Sequence, residues 1–217
     1  FVKAHPWGTV YHLTSWRRAV EEAFSHIEGR VLLLRSSRDG ELLGGLPLYT
    51  VKSWLLGNRL VSIPFASYCD PLVPDSALLA RLTDEAWRFA GARKLASLEI
   101  RLFRASALAE RGGLGPVLYS WHHHTDLRRP VEEIWKSFSK TSVRQPVLRA
   151  EKAGVQVSSG LEDDALFVFS SMLSDTRRRR SLPYLPHRFI KALKRNLGSE
   201  IMSCWIARDR NKKPVAG

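Results

Sequence analysis

The chain carries the outline of one β-hairpin twice. Near its start, Val31 to Val51 reads VLLLRSSRDGELLGGLPLYTV; at its end, Ile201 to Gly217 reads IMSCWIARDRNKKPVAG. Each is an apolar run, Arg-Asp, a polar turn, and a second apolar run opening on a small residue or glycine. Apolar runs on either side of such a turn specify antiparallel pairing. Two copies predict two related α/β units, with residues 1–117 forming the first and 118–217 the N-terminal part of the second. The second copy breaks off as its return strand begins, so the second unit is expected to be incomplete at Gly217.

Helical and strand patterns alternate around the hairpins. Thr14 is placed to cap a helix whose apolar stripe is Trp16, Ala19, Val20, Ala23, Phe24 and Ile27, with Gly29 as its stop. Strands follow at 31–35 and 42–51 about Asp39-Gly40, then a second pair, Lys52–Leu56 and Arg59–Pro64, about Gly57-Asn58. Pro64, Pro71 and Pro74 mark a loop. Asp75 is the cap of a helix over Ser76–Ala90, with Leu78, Leu79, Leu82, Ala86 and Phe89 facing inward. A strand at Leu98–Leu102 and a short helix at 105–113 complete the first half, and a strand at Val117–Leu127 starts or connects to the second. The second half reads as a helix from Val131, a helical stretch Ser142–Ala153 that Pro146 must kink or restart, a strand within 154–160, and helices over 162–180 and 187–197. This alternation specifies an α/β (α+β) fold with mixed sheets.

Composition narrows the partners. Thirty-four basic against 21 acidic residues leave a net charge of +13, which favours an anionic partner: a phosphorylated metabolite, a nucleic acid or an acidic membrane surface. No zinc finger, no RNP pair and no GxxG clamp in a helical setting occurs, which argues against DNA. Walker A, Rossmann and GxSxG signatures are absent as well. Two cysteines, Cys69 and Cys204, provide no disulfide framework and suit a reducing compartment. No apolar run reaches the roughly eighteen residues of a membrane span. The expected location is therefore cytoplasmic, with peripheral contact at the inner face of the cell membrane through the positive charge.

Several residues invite a chemical reading. On a strand, His122 and His124 would share one face and could share a zinc, but a third ligand is missing nearby, so a polar surface or a substrate contact is the better reading. Asp126 could cap the turn into the next helix or act as a general base. Lys136, Lys140 and Arg144, each four apart, would form a basic ridge continued by Arg149 and Lys152. Arg177 to Arg180 are consecutive and cannot all line one groove, so a solvated helix end competes with phosphate binding. Cys69 would need an activating histidine to be a nucleophile, and spacing supplies none; Phe65 and Tyr68 read as packing or substrate-stacking residues.

The order of these pieces resembles the FemAB-like family, built from two acetyltransferase-type units, and within it the bacterial subgroup associated with exopolysaccharide and protein-sorting systems. Four stretches carry the likeness: 38–73, 122–157, 175–193 and the closing ARDRNKKPVAG. The family's Lys-x-x-x-Arg segment, here Lys140 to Arg144, is followed by Leu148-Arg149-Ala150-Glu151-Lys152, where relatives carry an Arg-Lys-Ala-Glu-like run. The chain departs from the pattern at Pro146, and at Cys69-Asp70, where many relatives carry two glycines. The resemblance implies tandem acetyltransferase-like units and transfer of an acyl or aminoacyl group to an amine on a cell-wall or glycan precursor. The donor would be an acyl-CoA or an aminoacyl-tRNA, with no covalently bound cofactor and no metal. The acceptor would be an anionic, phosphorylated or lipid-linked precursor. Tyr68, His122, His124, Lys140, Arg144 and Arg149 are the expected substrate contacts. A catalytically inactive precursor- or carbohydrate-binding protein of the same fold is the alternative.

Overall fold

The structure, a computed structural model, describes every residue except 56, 112–115 and 117–120. It is a mixed α/β fold that divides into two compact units. These do not follow the chain in two simple blocks. The first comprises Phe1–Gly115 together with Arg188–Met202, and the second Pro116–His187 with Ser203–Gly217.

In the first unit, helix α1 (Thr14–Ala23) leads into strands β1 (Ile27–Arg35), β2 (Leu42–Val51) and β3 (Arg59–Val61). Helix α2 (Ser76–Ala92) then crosses to β4 (Ser97–Glu99), and the short α3 (Ser106–Arg111) follows. The sheet order is β1-β2-β3-β4, antiparallel except for the parallel β3–β4 pair, which the α2 crossover makes possible. α2 lays Leu79, Leu82, Ala86 and Ala90 against Leu46, Leu48, Leu60 and Val73 to form the core. Asp75 caps α2 by accepting the Leu78 N–H at 2.8 Å.

α1 ends at Ala23, six residues before the expected stop at Gly29. Phe24 and Ile27 are buried as the stripe requires, but Ile27 is buried from a strand. Gly29 serves close approach: a Cβ there would lie 2.4 Å from Cγ of Arg17 on the overlying helix. Its N–H donates to Glu21 of the same helix at 2.9 Å.

In the second unit, α4 (Val131–Ser137) is followed by a π turn (Lys140–Arg144) that passes directly into α5 (Gln145–Lys152). Pro146 sits at the start of α5, where its missing N–H is harmless, so the helix restarts there. The sheet order is β5-β6-β7, from β5 (Gln156–Gly160), β6 (Cys204–Arg208) and β7 (Pro214–Ala216), all antiparallel. Helix α6 (Asp163–Arg179) packs on β6. Helix α7 (His187–Leu197) stops at Gly198, whose φ of +69° is the left-handed stop its position calls for. From Arg188 onward it is counted with the first unit, where Phe189 packs 5.3 Å from Phe24.

Both hairpins form, β1–β2 and β6–β7, and each has its register shift immediately before an arginine. The shifts fall at Leu34/Arg35 and at Ala207/Arg208. Arg35 donates to the Gly40 carbonyl, and Arg208 to that of Lys212. Gly40 and Lys212 both have positive φ, +74° and +61°. Arg208 therefore corresponds to Arg35, not to the Arg38 of the Arg-Asp match on which the sequence comparison rests. The first turn is one residue longer, with six residues between Arg35 and the facing Leu42 against five between Arg208 and Pro214, and its Arg38-Asp39 lies within the turn.

Two expected strands are not found among the described residues. Lys52–Leu55 have no strand structure; β2 ends at Val51 and β3 spans three residues. Of the strand expected over 117–127, residues 117–120 lie outside the described residues, and Trp121–Asp126 have no regular structure.

Candidate functional site

The densest polar constellation lies in the first unit, where the proline-bounded loop meets the chain before α1. A single 3-10 turn at Val10–His12 presents the buried His12 to Cys69 and Asp70. The backbone N–H of Thr9 donates to Nδ1 of His12 at 3.1 Å, which makes Nδ1 the acceptor. Nε2 therefore carries the proton and donates it to the Asp70 carbonyl at 2.8 Å. The Cys69 Sγ lies 3.4 Å from that same Nε2.

Folding thus supplies the histidine that spacing did not reveal, 57 positions away. The geometry does not make a nucleophile. A protonated Nε2 already committed to a carbonyl cannot accept the thiol proton. Burial, reinforced by the neighbouring Asp70, pushes the Cys69 thiol well above its ordinary range, so it stays a thiol. Burial also lowers the His12 pKa below its ordinary 6.5, against the opposing pull of its hydrogen bonds to Asp70 and Thr9.

Asp70 completes the cluster. It is buried, and its Oδ1 accepts the N–H groups of Phe103 at 2.8 Å and Ala105 at 3.0 Å. Its Oδ2 accepts that of Arg104 at 3.2 Å. One carboxylate thereby ties the loop to the start of α3.

Aromatic rings enclose the cluster. Tyr68 packs 5.1 Å from Phe103 and 6.5 Å from Tyr11, which meets Trp16 edge-on at 4.8 Å. Phe65 holds a φ of +63° and stacks on Phe24 at 4.5 Å. Beside them Tyr11, Arg17, Val31, Pro47 and Tyr49 line a shallow depression.

The other expected contacts lie in the second unit. Lys140 and Arg149 are exposed, on the π turn and on α5. Arg144 is half-buried, and its Nε is buried without a hydrogen-bond partner among the described residues. A buried N–H left open is costly unless something pairs with it.

His122 is half-buried and His124 exposed, but neither is on a strand, so the shared-face argument for them fails. Among the described residues, no group of three histidine, cysteine or acidic side chains is placed to hold a metal ion. Asp126 grips Arg128 with both carboxylate oxygens, at 2.8 and 2.7 Å, and accepts its N–H at 3.1 Å. These bonds hold its carboxyl below the usual range, which unfits it as a general base. Within the arginine run, Arg177 donates to the Pro183 carbonyl, Arg178 pairs with Asp175, and Arg179 donates to Thr176.

These features define a mixed α/β protein with two sheets, an aromatic cluster in the first unit and a basic segment in the second. No family model matches the sequence, and no characterised protein matches it by sequence. The fold is that of a solved structure, FemX, to which the chain aligns with a TM-score of 0.65 and 19% identity. The alignment covers 95% of this chain and 54% of FemX, so the chain spans about half the length of that protein. The fold is accordingly of the FemAB type. Among the described residues, no helix is long and apolar enough to cross a membrane.

Proposed function

We propose that this chain is part of an acyl- or aminoacyl-transferase that moves an acyl group to an amine on a cell-wall or glycan precursor. The observation that carries the reading is the likeness in fold to FemX across 95% of the chain, joined to the order of the sequence motifs. The donor is an acyl-CoA or an aminoacyl-tRNA. The finer assignment, to an exopolysaccharide-type acceptor, rests on the sequence motifs alone. The protein acts in the cytoplasm, in peripheral contact with the membrane.

Transfer needs a neutral amine, a carbonyl held within reach, and donors for the oxyanion that develops. Backbone N–H groups can supply those donors, so the reaction does not require a side-chain triad. Lys140, Arg144 and Arg149 hold the anionic part of a substrate, with Arg144 as the strongest candidate because its Nε is buried and open. Tyr68 offers a half-buried ring, and His122 and His124 offer polar contacts.

The test is turnover by the purified full-length protein. With a panel of amino sugars and peptidyl-sugar amines, it is expected to release free thiol from an acyl-CoA or to consume charged tRNA. Failure with both donor classes across the panel, with retained binding of a precursor, would favour the inactive binding protein.

A further inference from the structure

The loop between β2 and β3 projects from one end of the first unit's sheet and carries its apolar residues outward. Trp54 is 96% exposed and Leu55 is 72% exposed. The neck of the loop is braced. The Ser53 N–H donates to Oδ1 of Asn58 at 3.1 Å, and the Ala96 N–H to the Asn58 carbonyl at 2.7 Å. Gly57 turns with a φ of +73° in a space where a Cβ would lie 3.3 Å from Cβ of Ala96. The apex is therefore presented on a built support.

Basic residues ring the same end. Arg59 opens β3, Arg93 and Lys94 close α2 beside the Ala96 contact, and Lys52 leaves β2. All four are exposed. One acidic residue joins them, Glu28, which pairs with Lys52 and at 3.7 Å with Arg30. The remaining cations leave an excess of positive charge around an apolar apex.

We infer that this apex is a membrane-contact tip, with Trp54 and Leu55 entering the headgroup region of an anionic bilayer while Arg59, Arg93 and Lys94 meet its phosphates. Shape and chemistry single out a bilayer. A protein partner of ordinary size buries about 800 Å² on each side, far beyond what Trp54 and Leu55 present. A nucleic acid would stack on Trp54 but has no use for the leucine beside it. Tryptophan favours the interfacial zone, and one weak apolar anchor becomes effective when basic residues supply a second signal. Each lysine or arginine near an anionic surface strengthens binding roughly fivefold. This deepens the membrane-contact part of the proposed function and is independent of its chemistry.

The experiment is vesicle flotation of the full chain with phosphatidylcholine alone and with phosphatidylcholine containing one-third phosphatidylglycerol. The wild type should float with the anionic vesicles at low salt and much less with the neutral ones. Trp54→Ser/Leu55→Ser should weaken binding about tenfold and, separately, Arg59→Gln/Lys94→Gln about 25-fold, with circular dichroism unchanged. Lipids brominated in the acyl chain should quench the wild type's tryptophan emission more than that of Trp54→Phe. Equal flotation and equal quenching of wild type and apex variants would overturn the inference. So would loss of binding to homopolymeric RNA in the apex variant with vesicle binding intact. Turnover of a water-soluble amine acceptor should be the same in wild type and apex variant, which separates failure of the tip from failure of the transferase reading.

Discussion

Asp70 is the residue on which the first unit's loop depends most. Its carboxylate is buried and accepts three backbone N–H groups. Asp70→Asn replaces one acceptor oxygen by an amide that can only donate, facing donors that then lack a partner. We expect a loss of about 3 kcal/mol, read as the shift in a urea midpoint at constant slope. A loss below about 0.5 kcal/mol would mean that the loop is held elsewhere. His12, next to it, gives a pH dependence. Its pKa is lowered in the folded state, chiefly by burial, so the unfolded chain takes up a proton first as pH falls through 6.5. Stability from this group is complete above that value and declines below it until the folded pKa is passed. His5, also lowered by burial, adds to the same slope. Urea midpoints at pH 7.5 and pH 5 should therefore differ less in His12→Gln than in the wild type; an unchanged difference would remove His12 from the account.

At the scale of elements, α2 was legible because cap, stripe and length agree, and the structure places its cap bond at Asp75. Asp75→Ala should cost about 1 kcal/mol, seen as a lower thermal midpoint. β5 fell inside the expected 154–160 strand, and α7 was plain from a Phe189/Ile190 face ended by Gly198. The failures have physical causes. The α1 stripe runs on to Ile27 because a strand residue facing the same core is apolar too, and Gly29 looked like a helix stop when its task is room for Arg17. Lys52–Leu56 reads as a strand because its apolar residues suit a packed hairpin, yet Trp54 and Leu55 are exposed and not on a strand. The pairing of His12 with Cys69 had no sequence signal, since it depends on a contact 57 residues apart. Of the site residues, Tyr68 was readable as a packing aromatic, whereas the open Nε of Arg144 depends on tertiary burial that spacing does not encode.

For the whole molecule the question is where a charge of +13 does its work. Positive charge spread over a surface gives a weak attraction that salt screens, whereas a site gives a difference between particular residues. The two arginine- and lysine-rich segments separate these cases. Arg177 donates to a carbonyl that follows its own helix, and Arg178 is paired with Asp175 at 3.1 Å, so both are spent locally and α6 ends well without a ligand. Lys140 and Arg144 lie on a π turn, a feature often kept at functional sites, and Arg144 has a buried N–H still open. Titration with pyrophosphate and with bulk tRNA, at low and at high salt, should therefore find Lys140→Ala/Arg144→Ala weakened about tenfold. Arg177→Ala/Arg178→Ala should change by less than about threefold, and its change should vanish at high salt. Part of the first loss should persist at high salt, because a partly buried guanidinium is poorly screened. Equal, small and fully salt-sensitive losses in both variants would reduce the basic segment to diffuse charge, and the anionic substrate of the proposed transfer would then have to be held by other residues.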